Sequence, residues 1–550
     1  MKRVFLAAAS LLLTAVAFAG EEPRQRYLVA TRASGAEAAQ EIVESELPRR
    51  GFRAIAPYRE IRGFAADLTA SEAAALRRSP RVRYIEEDVT DRIFADVVSE
   101  GKQTTPYGVS MLNAPAVWGV TKGVGIDGRA PVRVVVIDTG IALNHPDIVR
   151  AYRGGINTLN TSAAPLDDNA HGTHVAGTIA AADDAAGVVG VAPDVEIYAA
   201  KVCDDCGSCS VSNQIAAIDW AIQKKQEIGG NWILNLSLGG PTRRALAEEA
   251  FKRATDAGIL VFAASGNDGE TTVSFPAAYP GVVAVGAIDQ EKAIASFSNT
   301  GPEIKLVAPG VSVLSSIVGL RVRTSNGREY RANAGVAKDQ DADDLCLPLP
   351  SLTGTTVFAG FGGVAADFPA EVQGNIALVE RGNGVTFETK MKLAKAAGAV
   401  GVICFNDDRG MVTPSLGTYT SAGEIIPFVL IEREEGLLLK AAPSTTVTTD
   451  FGLLTYANFN GTSMATPHAA AAAALVWAAA PDATAEQVKN ALINTATDLG
   501  AAGYDTIFGH GLVDVLAAAK SAAPARFGNP TQPPPSSTTP VPGRRSLKRG

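Results

Sequence analysis

Cysteine is scarce in this chain: five in 550 residues, too few to staple a disulfide scaffold and too many to dismiss. An excess of positive charge is lacking as well. Lys and Arg number 49 against 57 Asp and Glu, a net charge of −8, which speaks against a dedicated nucleic-acid binder because phosphate neutralisation needs a basic surface. No apolar run reaches the ~20 residues of a membrane-spanning helix; beyond the amino terminus the longest, Ala469 to Ala480, is too short. What is present is ample for folding. A hydrophobic share of 46% against 19% charged residues allows a sizeable core and excludes global disorder. At roughly 150 residues per domain, the length implies three or four structural units.

The amino terminus reads as an export address. Met1-Lys2-Arg3 is basic, Val4 to Phe18 almost wholly apolar, and Ala17-Phe18-Ala19 has the small-x-small form that precedes cleavage. No Cys stands at that point for lipid attachment. Residues 1–19 are therefore expected to be a signal peptide, leaving a secreted, extracellular chain with no membrane association, in a compartment that permits disulfides.

Three patterns follow. Residues 24–98 alternate strand and helix signals: Arg26 to Ala30, Gly35 to Leu47, Gly63 to Leu68, Ser71 to Arg78, Val82 to Glu86. This β-α-β-α-β order predicts a small ferredoxin-like α+β unit, followed by an accessible linker over Asp96 to Lys102. From Pro131, buried-strand strings (132–137, 258–264, 282–286) alternate with helical ones (211–226, 244–257), predicting an α/β, doubly wound parallel-sheet core. Residues 318–453 are strand-rich, with one clear helix from Phe387 to Ala397; the α/β pattern resumes near Asn460 with an Ala-rich helix. An interruption of that kind predicts an inserted domain. From 524 to 550 the Pro/Ser/Thr-rich, finally basic chain predicts a disordered tail.

Three strings carry chemistry. Asp138-Thr139-Gly140 ends the first buried strand, where open α/β sheets place ligands. His171-Gly172-Thr173-His174 and Gly461-Thr462-Ser463-Met464-Ala465-Thr466-Pro467-His468 are the others, the latter entering the Ala-rich helix. Singly, each has an ordinary explanation: Asp138 as a turn or N-cap residue, Ser463 as a helix cap, His171 and His174 as core residues or metal ligands. Together they supply a nucleophile, a base and a carboxylate to orient the base. Two rival functions remain to be weighed, a metal-dependent hydrolase using His171 and His174, and a non-catalytic binding protein with a vestigial site.

These strings closely resemble those of the subtilisin-like serine proteases, the subtilases, over about 104–316 and 456–520. The order Asp…His…Ser is a known feature of that family. The resemblance implies a catalytic domain in two parts, 103–317 and 454–523, cleaving peptide bonds through an acyl-enzyme with Asp138, His171 and Ser463. Asn267, in Ala264-Ser265-Gly266-Asn267, matches the side-chain oxyanion donor. Ser237, Leu238 and Gly239 match an edge that pairs with extended peptides. Ala264, Ser274 and Phe275 match the main specificity pocket, where the absence of a carboxylate implies apolar preference, with room for some Lys through Asp268 at the rim. Residues 20–102 resemble the family's inhibitory propeptide and linker, implying a self-processing zymogen cut between about Val97 and Gln103. Gln103, Asp147 and Asp184 match a structural calcium site; no organic cofactor is implied. Partners are then protein or peptide substrates and the chain's own propeptide.

The insert resembles the protease-associated (PA) domain, on Asn375 to Gly382 and Lys392 to Asn406, a lid or substrate-selecting module without chemistry of its own. Many relatives have a Cys where this chain reads Gly384-Val385-Thr386-Phe387, leaving Cys346 and Cys404 as a candidate pair. Cys203, Cys206 and Cys209 crowd seven residues; one local disulfide with an odd thiol is expected over zinc ligation, with the pairing open.

Overall fold

The computed structural model describes residues 24–32, 42, 53–58, 61–88, 90–91, 103–339, 352–407, 414–419 and 421–527. The expected signal peptide, the expected cleavage stretch before Gln103 and the expected tail beyond Phe527 lie outside them. Two units are distinguished, 1–88 and 89–550.

In the first unit, strands β1 (Arg24–Thr31), β2 (Arg53–Pro57), β3 (Gly63–Thr69) and β4 (Val82–Glu87) form an antiparallel sheet in the order β2-β3-β1-β4. Helix α1 (Ala70–Leu76) begins at a capping box in which Thr69 and Glu72 satisfy each other's backbone N–H groups. Tyr27, Val29, Phe64, Leu68, Leu76 and Ile85 form the core. The sequence pattern omits β2. Its Arg-Ala-Ile-Ala-Pro string lacks a β-branched run and contains a Pro, which an edge strand tolerates. Of the expected helix 35–47 only Ile42 is described, helical and buried.

The second unit opens with the short strand β5 (Thr90–Asp91). Its main sheet comprises β6 (Arg133–Asp138), β7 (Tyr152–Asn157), β8 (Glu196–Lys201), β10 (Trp232–Leu236), β11 (Leu260–Ala264), β12 (Val283–Ile288) and β13 (Ile304–Pro309), with β9 (Cys209–Ser210) lying apart and pairing antiparallel with β5. All seven strands run parallel, in the order β13-β12-β11-β10-β6-β8-β7. Near-continuous Val/Ile/Leu/Ala strings read as they do because both sheet faces are buried. The chain goes one way from β6 to β8 and β7 and the other way to β10, so the crevice between the carboxyl ends of β6 and β10 is the topological switch point.

Helices α2 (His171–Ala180), α3 (Val211–Ile228) and α4 (Ala245–Asp256) connect strands. Strands β14 (Val313–Thr324) and β22 (Thr446–Phe459) pair antiparallel from Val313↔Phe459 to Thr324↔Val447. They lead into a closed barrel, completed by β15 (Glu329–Ala334), β17 (Thr353–Phe358), β18 (Ile376–Glu380), β19 (Gly401–Phe405) and β21 (Phe428–Ile431), while β16 (Val336–Asp339) and β20 (Ser415–Tyr419) pair parallel in a separate two-stranded sheet. One helix at its side is α5 (Phe387–Ala396). The expected insert boundaries, 317/318 and 453/454, thus fall inside continuous strands rather than at a linker.

Helix α6 (Thr462–Ala479) follows, buried along its whole length. A helix apolar all round belongs in a core, and its Ala side chains permit close approach to the sheet. The chain remains ordered through a 3₁₀ turn at Pro524–Arg526, slightly past the expected start of the tail.

Candidate active site

Asp138 is the last residue of β6, fully buried. Its Oδ1 accepts the Thr139 N–H at 2.7 Å and faces His171 Nδ1 at 2.8 Å. With a carboxylate as acceptor, Nδ1 carries the imidazole proton and Nε2 presents a lone pair. Among the described residues, neither His171 Nε2 nor Asp138 Oδ2 has a hydrogen-bond partner.

His171 is the first residue of α2, after Ala170 in the left-handed conformation with φ 97°. Two earlier side chains cap that turn. Asp167 accepts the Ala170 N–H at 3.0 Å, the Thr173 N–H at 2.9 Å and the Thr139 hydroxyl at 2.8 Å, while Asn169 Oδ1 accepts the His171 N–H at 3.3 Å. Sequence reasoning passed over Asp167; an Asx residue shortly before a helix was the available signal. Buried Lys201 completes the surroundings, donating to Thr139 O and Asp168 Oδ1, both at 2.6 Å.

His174 does not share a ligand with His171. Its ring is buried and stacked on Phe459 at 4.2 Å, with Nε2 toward Val313 O at 2.8 Å and Ala457 O at 3.2 Å. Burial pulls its pKa down to about 3, so the ring is neutral and serves as a tie between α2 and the β14/β22 ribbon.

Ser463, the second residue of α6, reaches the same switch point. Its Oγ donates to Ser237 O at 2.8 Å, just beyond the end of β10, whose Leu236 registers against Ile137 of β6. Asn267 is oriented from one side: its Oδ1 accepts both the Thr462 N–H and the Thr462 hydroxyl at 2.8 Å, which assigns the opposite end of the amide as the NH₂ donor. A Cβ on Gly461 (φ 150°) would lie 3.3 Å from Asn267 Nδ2 and 3.6 Å from Ser463 N. Two N–H donors therefore converge on a space that glycine leaves open, a role of Gly461 that its motif alone did not indicate.

The expected pocket residues also gather. Gly240 and Phe275 exchange two backbone hydrogen bonds at 2.9 Å, and the Ser274 N–H donates to Ser265 O, next to Ala264. A Cβ on Gly239 would meet Phe275 O at 3.0 Å and Ser274 Cβ at 3.3 Å. Leu238 is buried behind this wall. Asp268 Oδ2 accepts from Asn299 Nδ2 at 3.2 Å.

Gln103 and Asp147 converge on one loop. Gln103 donates to Ala182 O at 2.8 Å and accepts the Ala185 N–H at 3.1 Å. Asp147 is buried and accepts from Ser316 Oγ at 2.8 Å, Tyr456 Oη at 3.2 Å and Val188 N at 3.3 Å. Asp184 instead accepts the Ala186 N–H at 3.3 Å and faces Arg150 at 3.4 Å.

Cys203 and Cys209 form a disulfide, closing a loop tied to the His171 turn by Asn169 Nδ2 donating to Asp205 O at 2.9 Å. Asp204, Asp205 and Cys206 lie close enough together for a metal, but Cys206 is also disulfide-bonded, which removes its thiolate and the three-thiol zinc reading with it. Burial, then the neighbouring Asp168 and Asp204, push Asp205 up to about 6. Cys404 is a free, buried thiol on β19, raised to about 12 by burial. The expected Cys346–Cys404 pair is thereby corrected: Cys404 is unpaired and packs with Val402, Leu430, Met391 and Ala394, in the cluster that joins the strands to α5.

Comparison with known proteins fits this geometry. The profile of the subtilase family matches residues 130–336 and 376–511, and that of the peptidase inhibitor I9 matches residues 25–93. The thermostable alkaline protease of Halalkalibacterium halodurans is 38% identical over 339 residues, 61% of this chain and 87% of that protein. M-protease of Shouchella clausii is 38% identical over 351 residues, covering 60% and 87%. Subtilisin E of Bacillus subtilis is 35% identical over 320 residues, covering 57% and 79%. With a profile matched across more than half its length and catalytic-type side chains at the switch point of its sheet, the chain belongs to the subtilase family of serine endopeptidases and carries an I9 propeptide domain ahead of its catalytic part.

Proposed function

We propose that Ser463 is the nucleophile, His171 the general base and Asp138 the carboxylate that orients and stabilises the imidazole. The observation that carries this reading is the buried Asp138–His171 contact of 2.8 Å at the same strand ends that hold Ser463. As Ser463 Oγ bonds to the substrate carbonyl carbon, its proton passes to His171 Nε2, and the carbonyl electron pair moves onto oxygen between Asn267 Nδ2 and Ser463 N. Collapse breaks the C–N bond, His171 returns the proton to the leaving amine, and water then hydrolyses the acyl-enzyme by the same route.

Substrates are extended or unfolded protein segments. The chain's own Thr90–Asp91 adds antiparallel to Cys209–Ser210, and strand addition of this kind supports pairing of a peptide with Ser237–Gly239. The pocket of Ala264, Ser274 and Phe275 suits an apolar side chain, and exposed Asp268, held by Asn299 at 3.2 Å, leaves room for some Lys at the rim. The I9 domain acts as an intramolecular inhibitor removed by self-cleavage between about Val97 and Gln103, after export of the chain. The barrel is read as a PA domain that selects substrates.

The oxygen-only set of Gln103 and Asp147 around the 182–188 loop fits a hard cation, and a bound calcium would be structural. Chelation is then expected to lower the thermal midpoint in the mature enzyme, while labelling of Ser463 below that midpoint persists.

The deciding experiment compares intact mass, amino-terminal sequence and casein cleavage of wild type and Ser463→Ala, with fluorophosphonate labelling of both. Self-maturation and labelling confined to the wild type are expected. Cleavage by Ser463→Ala at wild-type rate overturns the triad.

A further inference from the structure

The carbonyl of the nucleophile's own residue is left open by the sequence. In an α-helix the carbonyl of residue 463 would accept the N–H of residue 467, but Pro467 has none to give. Ser237 supplies the missing donor: its Oγ donates to Ser463 O at 2.7 Å across 226 residues of chain. Asn235, two residues earlier and on the same face of the chain, donates from Nδ2 to Ser237 Oγ at 3.0 Å. Ser463, Ser237 and Asn235 are all buried, and among the described residues Asn235 Oδ1 has no partner.

A second contact runs in the reverse direction. Ser463 Oγ donates to the main-chain oxygen of Ser237 at 2.8 Å. A hydroxyl has one proton, so the bond to Ser237 O is made instead of one to His171 Nε2. One residue thus holds the nucleophile by both its backbone and its side chain.

We propose that Ser237 is a positioning residue for Ser463: its hydroxyl, steered by Asn235, fixes the carbonyl opened by Pro467, and its main-chain oxygen holds the Ser463 hydroxyl until a substrate amide N–H takes that oxygen. The proposal rests on the reading of Ser237–Gly239 as the substrate edge. When a peptide N–H donates to Ser237 O, the Ser463 hydroxyl is displaced and turns about χ1 to His171 Nε2. The nucleophile is then armed by the backbone of a peptide, and an ester without that N–H leaves it parked.

The test uses the mature enzyme with two substrates sharing one scissile amide. In one, an ester oxygen replaces the N–H of the residue whose carbonyl is attacked. Single-turnover acylation at saturation is expected to fall at least roughly tenfold for the ester-containing peptide, the size of one lost hydrogen bond expressed in the rate. Equal saturated rates with only KM raised overturn the parking role. For the hydroxyl, Ser237→Ala is expected to lower kcat roughly tenfold with KM within about twofold, and Ser237→Thr to restore it. Wild-type kcat in Ser237→Ala, or failure of Ser237→Thr to rescue, overturns the hydroxyl's role. Fluorophosphonate, which has no peptide N–H, tells the two readings apart: it labels wild-type Ser463 slowly if the switch holds, fast if the switch fails, and not at all if the triad fails.

Discussion

The sheet domain and the barrel both bury polar side chains, yet they treat them differently. Among the described residues, the buried side-chain atoms without a partner are Asp138 Oδ2, His171 Nε2, His174 Nδ1, Asn235 Oδ1, Arg244 Nε and His468 Nε2. Every one belongs to the sheet domain. In the barrel, the fully buried Lys390 has its ammonium satisfied by Phe361 O and by Glu380 O at 3.0 Å. Burial lowers its pKa, and those carbonyls compensate for the lost hydration. Unsatisfied buried groups cost stability, so Asp138 Oδ2 and His171 Nε2, open at the end of β6 and the start of α2, keep hydrogen-bonding capacity at the candidate site, whereas Lys390 spends its own on structure.

The sharpest way to break this contrast is at the oxyanion donors. Asn267→Leu should lower kcat by about 10²–10³-fold with little change in KM; the range is subtilisin's own for its equivalent donor. Gly461→Ala should cost at least about 10²-fold in kcat, because the new methyl occupies the space both donors face. An unchanged thermal midpoint would separate this from misfolding, and near-normal kcat in either variant would mean that the donors do not meet the developing charge.

A second comparison falls on the barrel. Lys390→Met strips the charged donor from two part-buried carbonyls and should lower stability by about 1–3 kcal/mol, read from denaturant unfolding. Hydrolysis of a short peptide should stay within about twofold. A collapse of that activity would show that the barrel shares in the chemistry.

The last effect, absent at neutral pH, concerns the two neutral histidines. Burial pulls His174 to about 3 and His468 to about 4, against an ordinary 6.5. Between these values and 6.5 the unfolded chain binds protons that the folded chain refuses, so stability falls as pH drops from 6.5 toward 4. Removing one such group by His174→Asn should make that acid slope shallower by up to about 1.4 kcal/mol per pH unit, measured from urea midpoints. Parallel slopes in wild type and variant would mean that His174 is not held neutral.

Much of this molecule is legible in its strings. The buried strands 132–137, 258–264 and 282–286 reappear as β6, β11 and β12, because a strand covered on both faces must be written in apolar residues. Asp138, His171, Asn267 and Ser463 stand in contiguous motifs, and a motif survives in one-dimensional text when its local turn or helix start does the placing. The edge strand β2, with its Pro57, escapes such reading because its pairing with β3 comes from the sheet and not from its own composition.

What the strings by themselves determined is the candidate reactive groups and the doubly wound core that presents them. Tertiary structure alone decided the rest. It chose Cys203 and Cys209 from three neighbouring thiols, left Cys404 unpaired between the barrel strands and α5, turned His174 away to the β14/β22 ribbon, and closed that ribbon's insert into a barrel. It also brought Ser237 to Ser463 from 226 residues away. The physical reason is the same throughout: side-chain chemistry and helix or strand periodicity are local properties, whereas a pairing depends on which distant backbone the fold sets opposite.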